Sequence, residues 1–226
     1  MIASAIIRAV FRHALAPVVP SAAAALHLPR TVAAKTAGVA LTFDDGPHPA
    51  GTPAVLQALD RANARATFFV IGEQVRRRPA LVAEIAAAGH AVALHGYRHR
   101  LQLRLGSNAV REDIERGIES IREAAGTEVT WHRPPYGIYS PAGLRLVRGA
   151  GLRPLLWSRW GKDWRKFTTP GRIAARATRD ISPGDVILLH DADFYSARES
   201  HRRTVVALAT ILSHLSHAGL DTVLPE

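Results

Sequence analysis

The sequence predicts an α/β fold in which parallel strands are covered by helices, as a barrel or a wound sheet. Three observations predict it. From about Thr36 onward, apolar runs of strand length alternate with helix-length stretches. The runs are apolar throughout instead of on every second residue, as expected of strands buried on both faces. Residues capable of chemistry, Asp44 and Asp45, His95, Arg133 and His190, fall at the C-terminal ends of those runs. In an α/β barrel that edge carries the active site.

The elements follow in order. "GVALTF" reads as a buried strand, and "TPAVLQALDRAN" as a helix with Thr52 as N-cap and Pro53 at its first position. "ATFFVIG" is a strand, "RPALVAEIAAAG" a helix ending at Gly89, and "HAVALH" a strand. "SNAVREDIERGIESIREAAG" is a long amphipathic helix ending at Gly126. "TWHRPP" and "RPLLWS" are short strands on either side of the helix "SPAGLRLVRGAG". The helix "TPGRIAARATRDI", the strand "DVILLHD" and the helix "RTVVALATILSHLSHAG" complete the series.

With 226 residues, 47% hydrophobic and 21% charged, the chain suits one good-sized core and excludes a disordered chain. Residues 37–226 carry the strand–helix alternation. Residues 1–36 form an apolar and basic segment that reads as a surface helix, a membrane anchor or a weak signal-like leader, so that residues 1–26 offer a peripheral membrane contact. Bacterial cytoplasm, membrane surface and cell envelope are all compatible with the residues, and oligomeric state is not readable from them. There is no cysteine, so any metal must be held by His, Asp or Glu. The net charge of +10 is almost all arginine, with lysine only at Lys35, Lys162 and Lys166. No nucleic-acid motif accompanies it, and no nucleic-acid partner is expected.

"HGYRH" places His95 and His99 four apart, a spacing that on one helical turn puts both imidazoles on one side. Two His and one carboxylate make a common open metal site. Each piece alone has a plainer reading. Asp44 and Asp45 before Gly46-Pro47 are turn-formers in isolation, and His190 a satisfied core histidine. Trp157, Trp160, Trp164 and Phe167 form either a sugar-stacking wall or ordinary core.

Taken together, "TFDDGP", "HGYRH", "RPPYG", "KDW" and "ILLHD", in that order, resemble the five sequence blocks of the polysaccharide deacetylases, the NodB-homology domain of carbohydrate esterase family four. The resemblance spans roughly Gly38 to Leu224. It implies a distorted (β/α) barrel, usually of seven strands, and a hydrolase that removes N-acetyl groups from an N-acetylated carbohydrate substrate.

The resemblance also implies roles. Asp45, His95 and His99 would bind a divalent metal, usually Zn2+, sometimes Co2+. Asp44 would be the general base toward the attacking water, with Arg133 paired to it. His190 would be the general acid toward the leaving amine, paired with Asp163. Tyr136 would offer its backbone N–H to the oxyanion, and Trp164, Leu188 and Pro135 would wall the acetyl pocket. Amide hydrolysis requires such a set, because water needs activation and the nitrogen is otherwise a poor leaving group. The same machinery would also serve a lipid-linked sugar, an acetyl ester or a formamide. An inactive glycan-binding module is the remaining alternative.

Two positions depart from the family's pattern. The Ser or Thr that usually follows the first His of the second block, and braces the metal loop, is Gly96 here. Its bracing must come from elsewhere. The acid that usually stands three residues before the Asp of the fourth block is Trp160. The segment "HDADFYSARESHRR" is expected to cover the site, with Arg198, Arg202 and Arg203 either meeting an anionic substrate group or lying in a solvated basic loop.

Overall fold

A computed structural model describes residues 18–33 and 38–226. Its centre is a parallel sheet. Strands β1 (Gly38–Asp44), β2 (Thr67–Val70), β3 (Ala91–Leu94), β4 (Trp131–His132), β5 (Arg153–Pro154), β6 (Arg159–Trp160) and β7 (Val186–His190) pair in the order β5-β4-β3-β2-β1-β7-β6. Seven parallel strands thus curl into a distorted barrel with helices outside. A short eighth strand, β8 (Asp221–Thr222), joins the first residues of β1.

The helices are α1 (Val19–Ala25), α2 (Gly51–Arg61), α3 (Gly72–Arg77), α4 (Pro79–Ala87), α5 (Ser107–Ala125), α6 (Pro141–Gly149), α7 (Pro170–Ala177) and α8 (Ser200–His217). Local sequence sets their ends. Ser140 accepts the Gly143 N–H at the start of α6 and Thr169 the Arg172 N–H at the start of α7, each followed by Pro at the first helical position. Gly126 ends α5 in the left-handed region, φ 63°. Thr52 is not the N-cap of α2, because Ala50 holds that position. Its hydroxyl instead accepts the His48 N–H (2.7 Å) and donates to Asp191.

β1 is buried along its whole length, as a strand between two neighbours and under helices must be. Phe43 stacks on Phe68 of β2 at 5.2 Å, and both are core residues. "TWHRPP" and "RPLLWS" contract to two-residue strands, because the chain leaves the ladder at Arg133 and at Leu155. Nothing in the apolar pattern marks β6, which is two residues long and is followed by Gly161.

Residues 18–33 pack on the core that residues 38–226 build. Val19 and Ala23 are buried, Thr31 bridges Asp185, and the Arg30 guanidinium donates to the Trp157 carbonyl (2.9 Å). The surface-helix, anchor and leader readings, and the membrane contact of residues 1–26, fall mostly on residues 1–17, outside the described residues. Among the described residues, no helix is long and apolar enough to cross a membrane.

Register aligns the strand ends. Asp44 is the Cα partner of His190 across β1 and β7. Leu94 and His132 are partners across β3 and β4, which sets His95 and Arg133 side by side just past them. The loops above this edge are in close contact. A Cβ on Gly51, at the start of α2, would collide with the backbone carbonyl of Asp191. Gly51→Ala is therefore expected to lower stability by about 3 kcal/mol, the upper range for forced overpacking. An unchanged urea midpoint would show that this approach is not required.

Candidate active site

Asp44 ends β1, and Asp45 follows it with φ 81°, a conformation uncommon outside glycine and seldom kept without a reason. Successive strand residues point to opposite faces. The left-handed turn at Asp45 cancels that alternation. The result is that His95 Nε2 lies 3.7 Å from Asp44 Oδ2 and 3.5 Å from Asp45 Oδ1. His99 Nε2 is 3.3 Å from Asp45 Oδ1.

His95 and His99 do not share a helical turn. Residues 95–100 form a loop, in which Gly96 has φ 84° and the two rings come to 5.6 Å. His95 Nδ1 donates to the Arg133 carbonyl (2.8 Å), which fixes its proton there and turns the Nε2 lone pair toward the two carboxylates. A lone pair facing two anionic oxygens is repelled unless a cation or a proton lies between them. Asp45, His95 and His99 have their ligand atoms within 4.8 Å of one another, and this donor set suits a divalent cation.

Arg133 is fully buried. Its Nη1 donates to Asp44 Oδ1 (2.7 Å) and Thr42 Oγ1 (2.9 Å), its Nη2 to the Leu156 carbonyl (2.9 Å) and its Nε to the Leu155 carbonyl (3.0 Å). Burial lowers its pKa, and the Asp44 carboxylate works against that shift. Across the cavity, His190 Nδ1 donates to Asp163 Oδ1 (2.8 Å). Asp163 Oδ2 accepts the His190 N–H (2.7 Å) and the Thr204 hydroxyl (2.8 Å). Burial alone would raise the Asp163 pKa. The His190 ring, the Thr204 hydroxyl and the His190 amide together outweigh it and hold the carboxyl below its usual value.

Between these two pairs lies a small cavity, about 30 Å3, lined by Asp44, His95, Tyr136, Gly137, Trp157, Trp160, Trp164, Leu188 and His190. Trp164 and Leu188 line it. Pro135 does not line the cavity; it is buried behind the His95–His99 loop, 3.7 Å from where a Cβ on Gly96 would lie. Trp157 and Trp160 do line it, which gives the tryptophan run a role in the site, whereas Phe167 is 83% exposed and lies outside. Tyr136 sits at φ 65° in a 3-10 turn with its ring edge-on to His99 at 4.7 Å.

The segment after β7 does cover the site. Tyr195 stacks on His99 (4.3 Å, 14°), and its hydroxyl donates to Glu73 of α3 (3.0 Å). The sequence pointed to the segment but not to Tyr195. Arg202 pairs with Glu199 and Arg203 donates to the Arg165 carbonyl, both on the surface.

A second group of ligand-type side chains, His48, Asp193 and His201, lies near the same loops. His48 Nδ1 accepts the N–H of Gly51 (2.9 Å) and of Ala50 (3.2 Å). Its proton therefore sits on Nε2, toward Asp193 Oδ1 at 3.4 Å, and a protonated nitrogen is not a ligand. This trio is a polar tie between the β1 loop, the β7 loop and α8. A larger cavity between α2 and α8, lined in part by Asp221 of β8, lies at the opposite end of the sheet from these groups.

The family model for polysaccharide deacetylase matches residues 31–155, over half of the chain. The chain belongs to the polysaccharide deacetylase family. It is accordingly a hydrolase of the carbohydrate deacetylase type. This deacetylase is 36% identical over 183 residues to a peptidoglycan-N-acetylglucosamine deacetylase of Bacillus cereus, covering 80% of this chain and 83% of the relative. It is 36% identical over 197 residues to a chitooligosaccharide deacetylase of a Bradyrhizobium species, covering 82% and 88%. A crystal structure of a peptidoglycan N-acetylglucosamine deacetylase superposes with a TM-score of 0.81 at 30% identity, covering 87% of this chain and 89% of that one.

One acid in the deacetylase's site edge is set apart by its environment. Burial pushes the Asp191 carboxyl up to about 7, with the Asp45 charge adding to the rise and the Thr52 hydroxyl opposing it. A raised carboxyl binds its proton more tightly folded than unfolded, so stability falls as pH rises from about 4 to about 7. Asp191→Asn keeps an acceptor for Thr52 and removes the ionisation. In chelator-treated protein it is expected to abolish that decline in the urea midpoint. A variant with the wild-type slope would assign the decline to another group.

Proposed function

We propose that this deacetylase hydrolyses the acetamido group of an N-acetylated sugar polymer, peptidoglycan or a chitooligosaccharide, with a divalent cation, zinc by preference, held by Asp45, His95 and His99. The observation that carries the reading is the cavity with Asp44–Arg133 on one side and His190–Asp163 on the other. Its tryptophan and leucine walls suit an acetyl methyl. The named substrates of the relatives support the polymer class.

The cation would supply an activated water and polarise the acyl oxygen. Asp44, oriented by Arg133, accepts the proton of the attacking water. The backbone N–H of Tyr136 faces the negative charge that develops on the acyl oxygen. Asp163 holds the His190 proton at Nδ1, which leaves Nε2 to deliver a proton to the departing amine. The opposite partners, a guanidinium for the base and a carboxylate for the acid, keep the two roles apart.

Acetate release measured across peptidoglycan, chitooligosaccharides, acetyl xylan and acetylated small molecules tests the substrate class. Release from the small molecules alone would move the activity off polymers. Asp44→Asn is expected to lower kcat by about 10²–10⁴ while retaining one zinc per chain. Full turnover in that variant would remove Asp44 from the base role. Asp45→Ala is expected to lose the metal. Chelation should inactivate the wild-type protein, with zinc or cobalt restoring it, and robust activity of the metal-free protein would overturn the mechanism.

A further inference from the structure

Gly96 lacks the hydroxyl that the family's pattern sets beside the first metal-type histidine, and the structure shows what stands near its place. α5 crosses β3 closely, because a side chain on Gly117 would collide with Leu94. One turn earlier on the same face of α5 is Asp113. Its Oδ2 accepts the Tyr97 N–H (2.7 Å), and its Oδ1 accepts the Arg98 N–H (3.2 Å) and the Arg100 guanidinium (2.9 Å). Tyr97 and Arg98 are two of the three residues between His95 and His99. A Cβ on Gly96 would lie 2.9 Å from Asp113 Oδ2, on a backbone at φ 84°.

We infer that Asp113 is a positioning residue for the metal centre: its carboxylate grips the backbone between the two histidine ligands, in space that a side chain at position 96 would need. The inference rests on the metal reading of Asp45, His95 and His99. A carboxylate accepting two successive backbone N–H groups fixes the orientation of both peptides at once, and charge-assisted bonds of this kind are the stronger ones. The loop is irregular and its first residue is a glycine, so without that grip the spacer gains conformational freedom and the His99 ring loses its fixed place. Tyr97 adds to the hold through its ring, on which the Arg116 guanidinium of α5 lies at 4.1 Å.

The test is zinc affinity, by chelator competition, of protein stripped of metal. Asp113→Ala is expected to weaken zinc binding about tenfold to a hundredfold, the usual effect of removing a group that orients a ligand. Saturating zinc should then restore most of kcat. Asp113→Asn keeps one acceptor of the two and should fall between wild type and alanine. It also carries the test if the alanine variant does not fold. Arg100→Ala leaves both backbone bonds in place and should stay within about twofold of wild type. Gly96→Ser, which returns a hydroxyl, should weaken zinc binding, because its Cβ meets the carboxylate.

Wild-type affinity in both Asp113 variants, or tighter binding in Gly96→Ser, would overturn the inference. A wild-type protein that takes up no zinc would instead overturn the metal reading. In that event amide exchange at Tyr97 and Arg98 in the metal-free protein decides the role of Asp113. Faster exchange in the Asp113 variants supports the grip, and unchanged exchange overturns it.

Discussion

The structure depends on one buried charge. Arg133 has no contact with solvent, and an unpaired guanidinium in that position would cost several kcal/mol. It is tolerated because Asp44 neutralises it while Thr42 and the carbonyls of Leu155 and Leu156 accept its remaining bonds. Those partners lie far apart in the sheet. Thr42 and Asp44 are on β1, inside the sheet between β2 and β7, whereas Leu155 and Leu156 lead from β5 to β6, the two strands at its ends. One side chain thus ties the centre of the curled sheet to the segment that bridges its open seam. Satisfying the charge and shaping the barrel are the same requirement.

The placement of the candidate catalytic groups was legible in the sequence because the contrast is sharp. An ionisable side chain at the end of a buried, mostly apolar strand has few structural uses, and Asp44, His95, Arg133 and His190 each stand at a strand end. The left-handed residue at Asp45 was not legible, since alternation along a strand argues for divergent acids and only backbone geometry reverses it. Asp113 was hidden for a different reason. It lies within "REDIERGIES", where acids on a solvated helical face look alike, and only the approach of α5 to β3 separates it from Glu112 and Glu115. β6 escaped because two residues carry no period. The spacing of His95 and His99 invited a helical reading, but the loop reaches the same juxtaposition through a glycine turn.

The two ionisable pairs at the sheet edge are each closed by their own hydrogen bonds. Arg133 ties Asp44 to the interior, and Asp163, which holds His190, is itself held by Thr204 of α8. Trp157, Trp160, Trp164 and Leu188 line the cavity between them, together with Asp44, His95, Tyr136 and His190. Each carboxylate has its own hydrogen-bonding partner, at 2.7 Å in one pair and 2.8 Å in the other, so each is governed by that near neighbour more than by the opposite pair.

The left-handed turn at Asp45 has a consequence for how this site can change over generations. On the proposed function, two duties, holding a cation and facing the bond to be cut, fall on consecutive residues joined by a single peptide unit. No insertion or deletion can fall between them, and a change that relaxes the backbone at Asp45 moves both carboxylates together. On that reading the pair is inherited as one block, and drift at either acid disturbs its neighbour.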